Sequence, residues 1–490
     1  MLAPREDSKP RPKRPTRAQR NRSSRTKTAT KDRKPNKKPT TLDDVRTKVR
    51  ELSESGELLL SKLFDDASIN ALVEEILPKR ASRDRVYTIP VTVSLFVQQV
   101  LSNKCGCKKV VTLLNKRRKA EELAAVSTNA TSYCGARMRI PLALLEKLSR
   151  QTARVASDQL PESWRWSGRR VLLVDGLVSD APDTPENQEK YPQPSSQKAG
   201  LGFPQIRVCA AICLTTGVTT DVQYAPVEGS KTGEATLFRR MFDDFEPGDI
   251  VVADSNFESY RDLATLANSK GVHMVCNING SRTSPFSGRC KSIEDKTVTL
   301  QRPKFNASRF TQEEWEQLPE TMDVRMIRYK VKGRNSELTI VTTLLDTETY
   351  TAKSIAELYK HRWECELDIR SIKTVMGMDR LSCHTPEMLE RELMTYFLAY
   401  NLIRVTMCDA ARIAGCMPRA LSFKNAKDSW LKLGQDGCGT NDIAWLLWAI
   451  LDSPLRKRKR PNEPRKVKRR NAKYERMKLP RDQEKQALWP

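Results

Sequence analysis

Apolar positions change their spacing twice along the chain, and each change predicts a different kind of structure. From residue 41 to about 155 they recur at helical intervals. Segment 43–63 is charged and amphipathic, 91–101 is apolar behind a proline, and 128–139 leads into the apolar-periodic 142–148. From 171 the pattern tightens into short unbroken runs, which read as buried strands at 171–175, 206–214 and 218–225, the last two joined by a Thr-Thr-Gly turn as an antiparallel hairpin. A helix at 233–243, a strand at 249–254, a helix at 259–269 and a strand at 272–278 follow. Regularity then lapses over 279–336, with strand-like pieces at 296–300 and 324–329. A strand at 337–345 precedes a helix from 353 to about 375, and 393–404 and 442–451 read as apolar helices packed on the core.

Polar residues set into this pattern carry the chemistry. The run 171–174 ends in Asp175 followed by Gly176, and 249–253 ends in Asp254. Both read as buried strands presenting a carboxylate at the strand's C-terminal end, where α/β sheets place their sites. Asp also closes strands merely to start a turn. On the 353–375 helix, Tyr359, Arg362, Glu366 and Lys373 stand at offsets of 0, 3, 7 and 14. At about 100° per residue these fall on one face, whereas Glu364 and Asp368 project away from it. One carboxylate flanked by two cations and a phenol suits a phosphate beside a metal ion, and it equally suits a solvated face laced with ion pairs. Three carboxylates on separate elements can hold two divalent ions for phosphoryl transfer.

These residues resemble a known family. The spacing Tyr359, Arg362, Glu366, Lys373 matches the Y-x2-R-x3-E-x6-K signature of DDE transposases of the insertion-sequence group number four. Asp175-Gly176 is similar to the family's first acid motif and 248–254 to its second, and 191–206 is similar to the stretch many relatives carry after the first acid. The resemblance covers about residues 85–430, with Ser255 where relatives often have Arg. It implies an RNase H-like mixed sheet flanked by helices, interrupted by a β-rich insertion that contacts the transposon end. It implies Asp175, Asp254 and Glu366 as catalytic ligands of two Mg2+ ions, with Mn2+ able to substitute, and Tyr359, Arg362 and Lys373 as DNA-binding residues. It further implies a bacterial, cytoplasmic, nucleoid-associated enzyme that works as a homodimer on DNA, cutting element ends and joining them to target. A DDE nuclease without integration and a catalytically idle DNA-binding descendant are the alternatives.

The sequence divides accordingly into a helical, DNA-binding domain at 41–160, a catalytic core at 165–278 and 337–400 around the 279–336 insertion, and C-terminal helices at 401–454. The 111 residues between Asp254 and Glu366 exceed what one strand and one helix need, which is why an insertion is expected there. Trp315, its sole Trp, is open to two roles, stacking on an unpaired base or anchoring the insertion. Charge reinforces a polyanionic partner. Residues 1–40 hold 15 Lys/Arg against 3 acids, and 455–490 hold 15 against 4, so the tails supply nearly all of the net +26. Both tails are poor in apolar residues and rich in Pro, and are expected to be disordered. The cluster 456–460 reads as a DNA-binding arm or a nuclear address. No secretory signal and no run of 18 apolar residues appears, so no membrane partner is expected.

The 12 cysteines form no zinc pattern, because Cys105-Gly-Cys107 is too tightly spaced and only three His are present. Reduced thiols are expected. At 490 residues the chain is expected to hold more than one domain.

Overall fold

A computed structural model describes residues 41–55, 57–60, 66–76, 86–102, 105–278, 282–308, 310–330, 337–435 and 443–453, together with the isolated positions 483 and 486. Apart from those two positions, the expected disordered tails lie outside the described residues.

An eight-stranded mixed sheet forms the centre. Its strands are β1 (Val171–Asp180), β2 (Gln205–Cys213), β3 (Thr219–Pro226), β4 (Ile250–Ala253), β5 (His273–Asn277), β6 (Glu294–Gln301), β7 (Thr321–Lys330) and β8 (Glu337–Thr342), in the order β3-β2-β1-β4-β5-β8-β7-β6. The first five give the mixed, RNase H-like arrangement, with β1 antiparallel to β2 and parallel to β4, and β4 parallel to β5. Residues 171–174 and 250–253 are buried throughout, as strands covered on both faces require. The β2–β3 turn needs its glycine twice over. Gly217 has φ +75°, and a Cβ there would stand 2.9 Å from the Arg404 guanidinium carbon.

The insertion's strand-like pieces are real strands, longer than the sequence pattern suggests. They do not form a separate body: β6 pairs with β7, β7 with β8, and β8 with β5, so the insertion widens the central sheet by continuous antiparallel pairing. Arg325 on β7 is fully buried, forming an ion pair with Asp295 of β6 and donating to the carbonyls of Leu344 and Tyr350 at 3.0 and 2.8 Å. Trp315, half-buried in the insertion, donates Nε1 to the Pro303 carbonyl at 2.8 Å and carries the Arg302 guanidinium 3.8 Å from its ring centroid. Those contacts fit the anchoring role.

Helices cover the sheet: α1 (Leu42–Glu54), α2 (Asp66–Ile76), α3 (Ile89–Leu101), α4 (Cys107–Ala120), α5 (Thr131–Met138), α6 (Leu142–Asp158), α7 (Pro185–Lys190), α8 (Glu234–Arg239), α9 (Tyr260–Ala264), α10 (Gln312–Glu316), α11 (Ala352–Lys360), α12 (Arg362–Arg370), α13 (Pro386–Ala414), α14 (Phe423–Gln435) and α15 (Ile443–Leu451). The 29-residue α13 is buried almost all round, which makes it the axis of the helical layer. The N-terminal helices are not a detached bundle. One buried apolar cluster runs from Val45 to Ile450, and only a small second cluster, centred on Leu95, Val110, Val111, Leu114 and Tyr133, belongs to α3–α5 alone. Asn401 of α13 accepts from Thr219 N at 2.8 Å and donates to Thr219 O at 2.9 Å, so its amide caps the start of edge strand β3. Each described cysteine is free, and no helix among the described residues is long and apolar enough to cross a membrane.

The buried Asp409 carboxylate of α13 takes the N–H groups of Leu59 and Leu60, both at 3.0 Å. Asp409→Ala orphans two buried donors, so urea unfolding is expected to show a loss of about 2–4 kcal/mol. An unchanged midpoint would contradict this anchor.

Candidate active site

The strand bearing Asp175 does not stop there. β1 pairs with β2 from Leu172↔Cys213 to Asp180↔Gln205, so Asp175 lies mid-strand opposite Ala210. The parallel ladder with β4 is what stops, its last pair being Leu173↔Val252. Two residues further on, the same register sets Asp175 beside Asp254, at the mouth left where β4 diverges. Asp254 follows β4 and also begins a turn, its Oδ1 accepting from Asn256 N at 2.8 Å and its Oδ2 from Asn256 Nδ2 at 3.3 Å. Asp254 thus both follows a buried strand and opens a turn.

The single helix expected at 353–375 is broken. α11 ends at Lys360, His361 sits at φ −71° and ψ −8° with i→i−3 bonding on either side, α12 follows, and Ser371–Val375 is a π-helical turn. The break has a purpose legible in the burial. α11 buries Ile355, Ala356, Leu358 and Tyr359, and continuing that stripe at helical spacing would bury 362, 363 and 366. α12 instead buries Cys365 and Asp368, so the offset turns Arg362 and Glu366 toward the sheet's open mouth. An unbroken helix would have hidden the acid.

Arg362 links acids from two elements. Its Nη2 lies 2.9 Å from Glu366 Oε1 and its Nη1 3.8 Å from Asp175 Oδ2. Tyr359 is buried nearby, where burial pushes its phenol up from the usual range, Arg362 opposes this, and Asp254 adds to it. Its hydroxyl therefore stays a proton donor. Lys373 lies half-buried on the π-helical turn, with its carbonyl accepting from Asp379 N at 3.2 Å, and it forms no ion pair among the described residues. The structure thus gathers Asp175, Asp254, Arg362, Glu366 and Tyr359, and leaves Lys373 outside this contact network.

A further acid escaped the sequence reading. Glu234 opens α8, and a Cβ built on Gly176 would stand 2.3 Å from its Oε1, so its carboxylate lies directly over the α-carbon after Asp175. Nothing in the spacing 233–243 marks it, because a first-turn Glu is ordinary helix chemistry. Burial pushes Asp175 up to about 6, against the opposing N–H of Gly176 and Arg362, and Asp254 and Glu234 add to the rise. Burial also raises Glu234, with Arg207 opposing and Asp254 adding. This is a site with more negative charge than its fixed cations compensate.

The donors are all carboxylate oxygens, the ligand class a hard divalent cation takes, and they outnumber the one arginine that faces them. Among the described residues no three acid, His or Cys side chains stand close enough to form a finished ligand group. In this arrangement Arg362 supplies the compensation between Asp175 and Glu366.

The acids on the far side of α12 secure it. Asp368, 1% exposed, forms an ion pair with Arg404 of α13 and accepts from Arg419 Nη2 at 2.8 Å and Nη1 at 3.2 Å. Arg419 also lies 3.4 Å from Glu364 and donates to the carbonyls of Cys213 and Leu214 at the end of β2. Asp368→Asn leaves two buried guanidinium groups undercompensated, and denaturant unfolding should show a loss of about 3–5 kcal/mol.

Asp175 should also leave a mark on stability against pH. Its carboxyl holds the proton more tightly folded than unfolded, so the fold loses stability as pH rises from about 4 through about 6. In chelator, Asp175→Asn is expected to flatten that decline and to gain about 2 kcal/mol at neutral pH. A parallel pH profile in wild type and variant would contradict the assignment.

Part of this chain is similar to known proteins. Residues 166–402 match the family model described as Transposase DDE domain. The chain is 26% identical over 296 residues to transposase InsG for insertion sequence element IS4 of Escherichia coli K12, covering 59% of this chain and 64% of that protein. It is 32% identical over 141 residues to putative transposase InsZ of the same organism, covering 28% of this chain and 45% of that one. The chain thus spans a little under two thirds of InsG and under half of InsZ. The domain match encloses every acid of the site, and the chain is thus similar to DDE transposases, the insertion-sequence-four transposase InsG among them.

Proposed function

We propose that this protein is a DNA transposase that binds the inverted repeats at its element's ends, cuts the DNA there and joins the ends to target DNA by two-metal phosphoryl transfer. The observation that carries the reading is the Arg362 bridge between Asp175 of β1 and Glu366 of α12, at 3.8 and 2.9 Å, beside Asp254. Acids from separate elements, held at one mouth by a cation that can let go, are what such chemistry needs. The basic tails and the relationship to InsG support DNA as partner.

Asp175, Asp254 and Glu366 would hold the two Mg2+ ions, with Mn2+ as a substitute. Ions held by these carboxylates would supply activation of the attacking water or 3′-hydroxyl and stabilisation of the leaving oxygen. Closing the carboxylates requires Arg362 to release Glu366, which frees its planar guanidinium for a phosphate of the element end. Tyr359 donates its hydroxyl to a phosphate oxygen, and Lys373 contributes charge along the path of the strand. Residues 41–160 take up flanking DNA, and two protomers pair the two ends. On this reading the protein works in the bacterial cytoplasm, on the nucleoid.

The test uses a labelled fragment carrying the flanking inverted repeats, incubated with Mg2+ or Mn2+ and a target plasmid. Glu366→Gln is expected to lose tip cleavage and joining by at least about a hundredfold, with DNA affinity changed by less than about threefold, since affinity rests on phosphate contacts. Cleavage without joining in wild type would make the protein a nuclease. Binding without cleavage by either form would make it an idle DNA-binding descendant.

A further inference from the structure

Gly176 poses a problem that its backbone does not answer. It lies inside β1, paired with Cys209, and is not among the glycines of positive φ. A strand interior ordinarily disfavours glycine, which gives up packing and conformational entropy there. The Asp-Gly turn that the sequence suggests is absent. What excludes a side chain is Glu234. A Cβ at 176 would meet its Oε1 at 2.3 Å, its Cδ at 2.4 Å and its Cγ at 3.0 Å, all far inside contact distance. Nor is this the loose end of a side chain resting on the surface, since Glu234 is half-buried at the start of α8, which packs on β2 and β3.

The same carboxylate differs from the other acids of the mouth. Asp175 accepts from Gly176 N at 2.8 Å and faces Arg362, Asp254 accepts from Asn256, and Glu366 accepts from Arg362. Glu234 accepts no hydrogen bond and forms no ion pair within 4 Å among the described residues. The cation that acts on it is Arg207 of β2, whose Nη1 is engaged at 2.9 Å with the Thr232 carbonyl. A half-buried carboxylate kept in that state beside two other acids costs stability, a cost that function rather than folding would have to justify. The missing Cβ of Gly176 is a second such cost at the same point.

We infer that Glu234 is a positioning residue of the site: it acts through Asp175, setting the demand for divalent cations at the mouth of the sheet, and it is the reason residue 176 is glycine. This rests on the metal-dependent reading above and adds to it a fourth functional carboxylate, supplied by α8. Removing its charge weakens cation uptake without altering the grip on DNA. Enlarging residue 176 displaces the Glu234 side chain and has the same result.

The experiment measures Mn2+ binding to the full chain by electron paramagnetic resonance, without turnover, alongside the Mg2+ dependence of tip cleavage. Four variants are compared with wild type: Glu234→Gln, Glu234→Ala, Gly176→Ala and the double Gly176→Ala/Glu234→Ala, with Asp175→Asn as the control for the parent reading. Glu234→Gln keeps the shape and loses the charge. Its Mn2+ affinity is expected to fall about tenfold, as for residues that support metal ligands from behind, with the half-maximal Mg2+ rising in step. DNA affinity is expected to stay at the wild-type value, and the melting temperature to hold or rise as the uncompensated charge is removed. Gly176→Ala should show the same metal defect, and the double variant should be no worse than Glu234→Ala alone. Wild-type Mn2+ binding in Glu234→Gln, with Asp175→Asn defective, overturns this inference and leaves the parent reading standing. Wild-type Mn2+ binding in both removes the parent reading as well. Should Gly176→Ala fail to fold, Glu234→Gln decides alone.

Discussion

One aspartate and two arginines, almost entirely withdrawn from water, determine where the split helix can lie. Asp368 holds α12 to Arg404 on the central helix and to Arg419 just beyond it, and Arg419 in turn grips the backbone at the end of β2. Burying three charges is costly in itself, and such clusters seldom add net stability over an apolar core of the same shape. What they do impose is a unique geometry. A helix fixed by apolar contacts alone can slide or rotate by part of a turn at small cost, whereas a bidentate carboxylate between two guanidinium groups has few satisfactory positions. Because Asp368 stands two residues from Glu366 on the opposite face, the cluster fixes the angle at which that acid meets Asp175. Gly217 belongs to the same constraint, since only its missing side chain lets the β2–β3 turn approach Arg404.

The break at His361 completes the orientation. A continuous helix would have put Arg362 and Glu366 under the buried stripe of α11, and the i→i−3 bonding at the break rotates them outward. No proline or glycine marks the interruption, which is why periodicity alone reads through it. The two halves are each good helices in sequence, and it is the requirement to bury different faces against different neighbours that separates them. Tertiary packing has overridden a local preference that was sound as far as it went.

The strands were legible for a simple reason: 171–174 and 249–253 are unbroken apolar runs, and burial on both faces demands that pattern. The three acids at or after such runs, and on the helix, stand out in the sequence as candidates. The end of β1 was not legible, because a strand that leaves one partner while keeping the other looks, along the sequence, like a strand that stops. Asp175 is at the end of the β1–β4 ladder and in the middle of the β1–β2 ladder. Glu234 was invisible on other grounds, since an acid in a helix's first turn is favoured there whatever else it does. The insertion's strands were found, but not their destination, because edge-to-edge addition to β8 depends on pairing partners that no local pattern encodes.

The Asp409 anchor has a consequence in time as well as in space. Its partners, Leu59 and Leu60, precede it by 350 and 349 residues. A ribosome adding about 5–20 residues per second makes the α1 region wait roughly 20–70 s for the helix that completes its burial. Throughout that interval the first-made helices hold exposed apolar faces, and the central sheet has been synthesised before the axis that braces it. The order of synthesis therefore runs against the order of stabilisation, so a nascent chain of this protein depends on being kept apart from its neighbours until its last third has emerged.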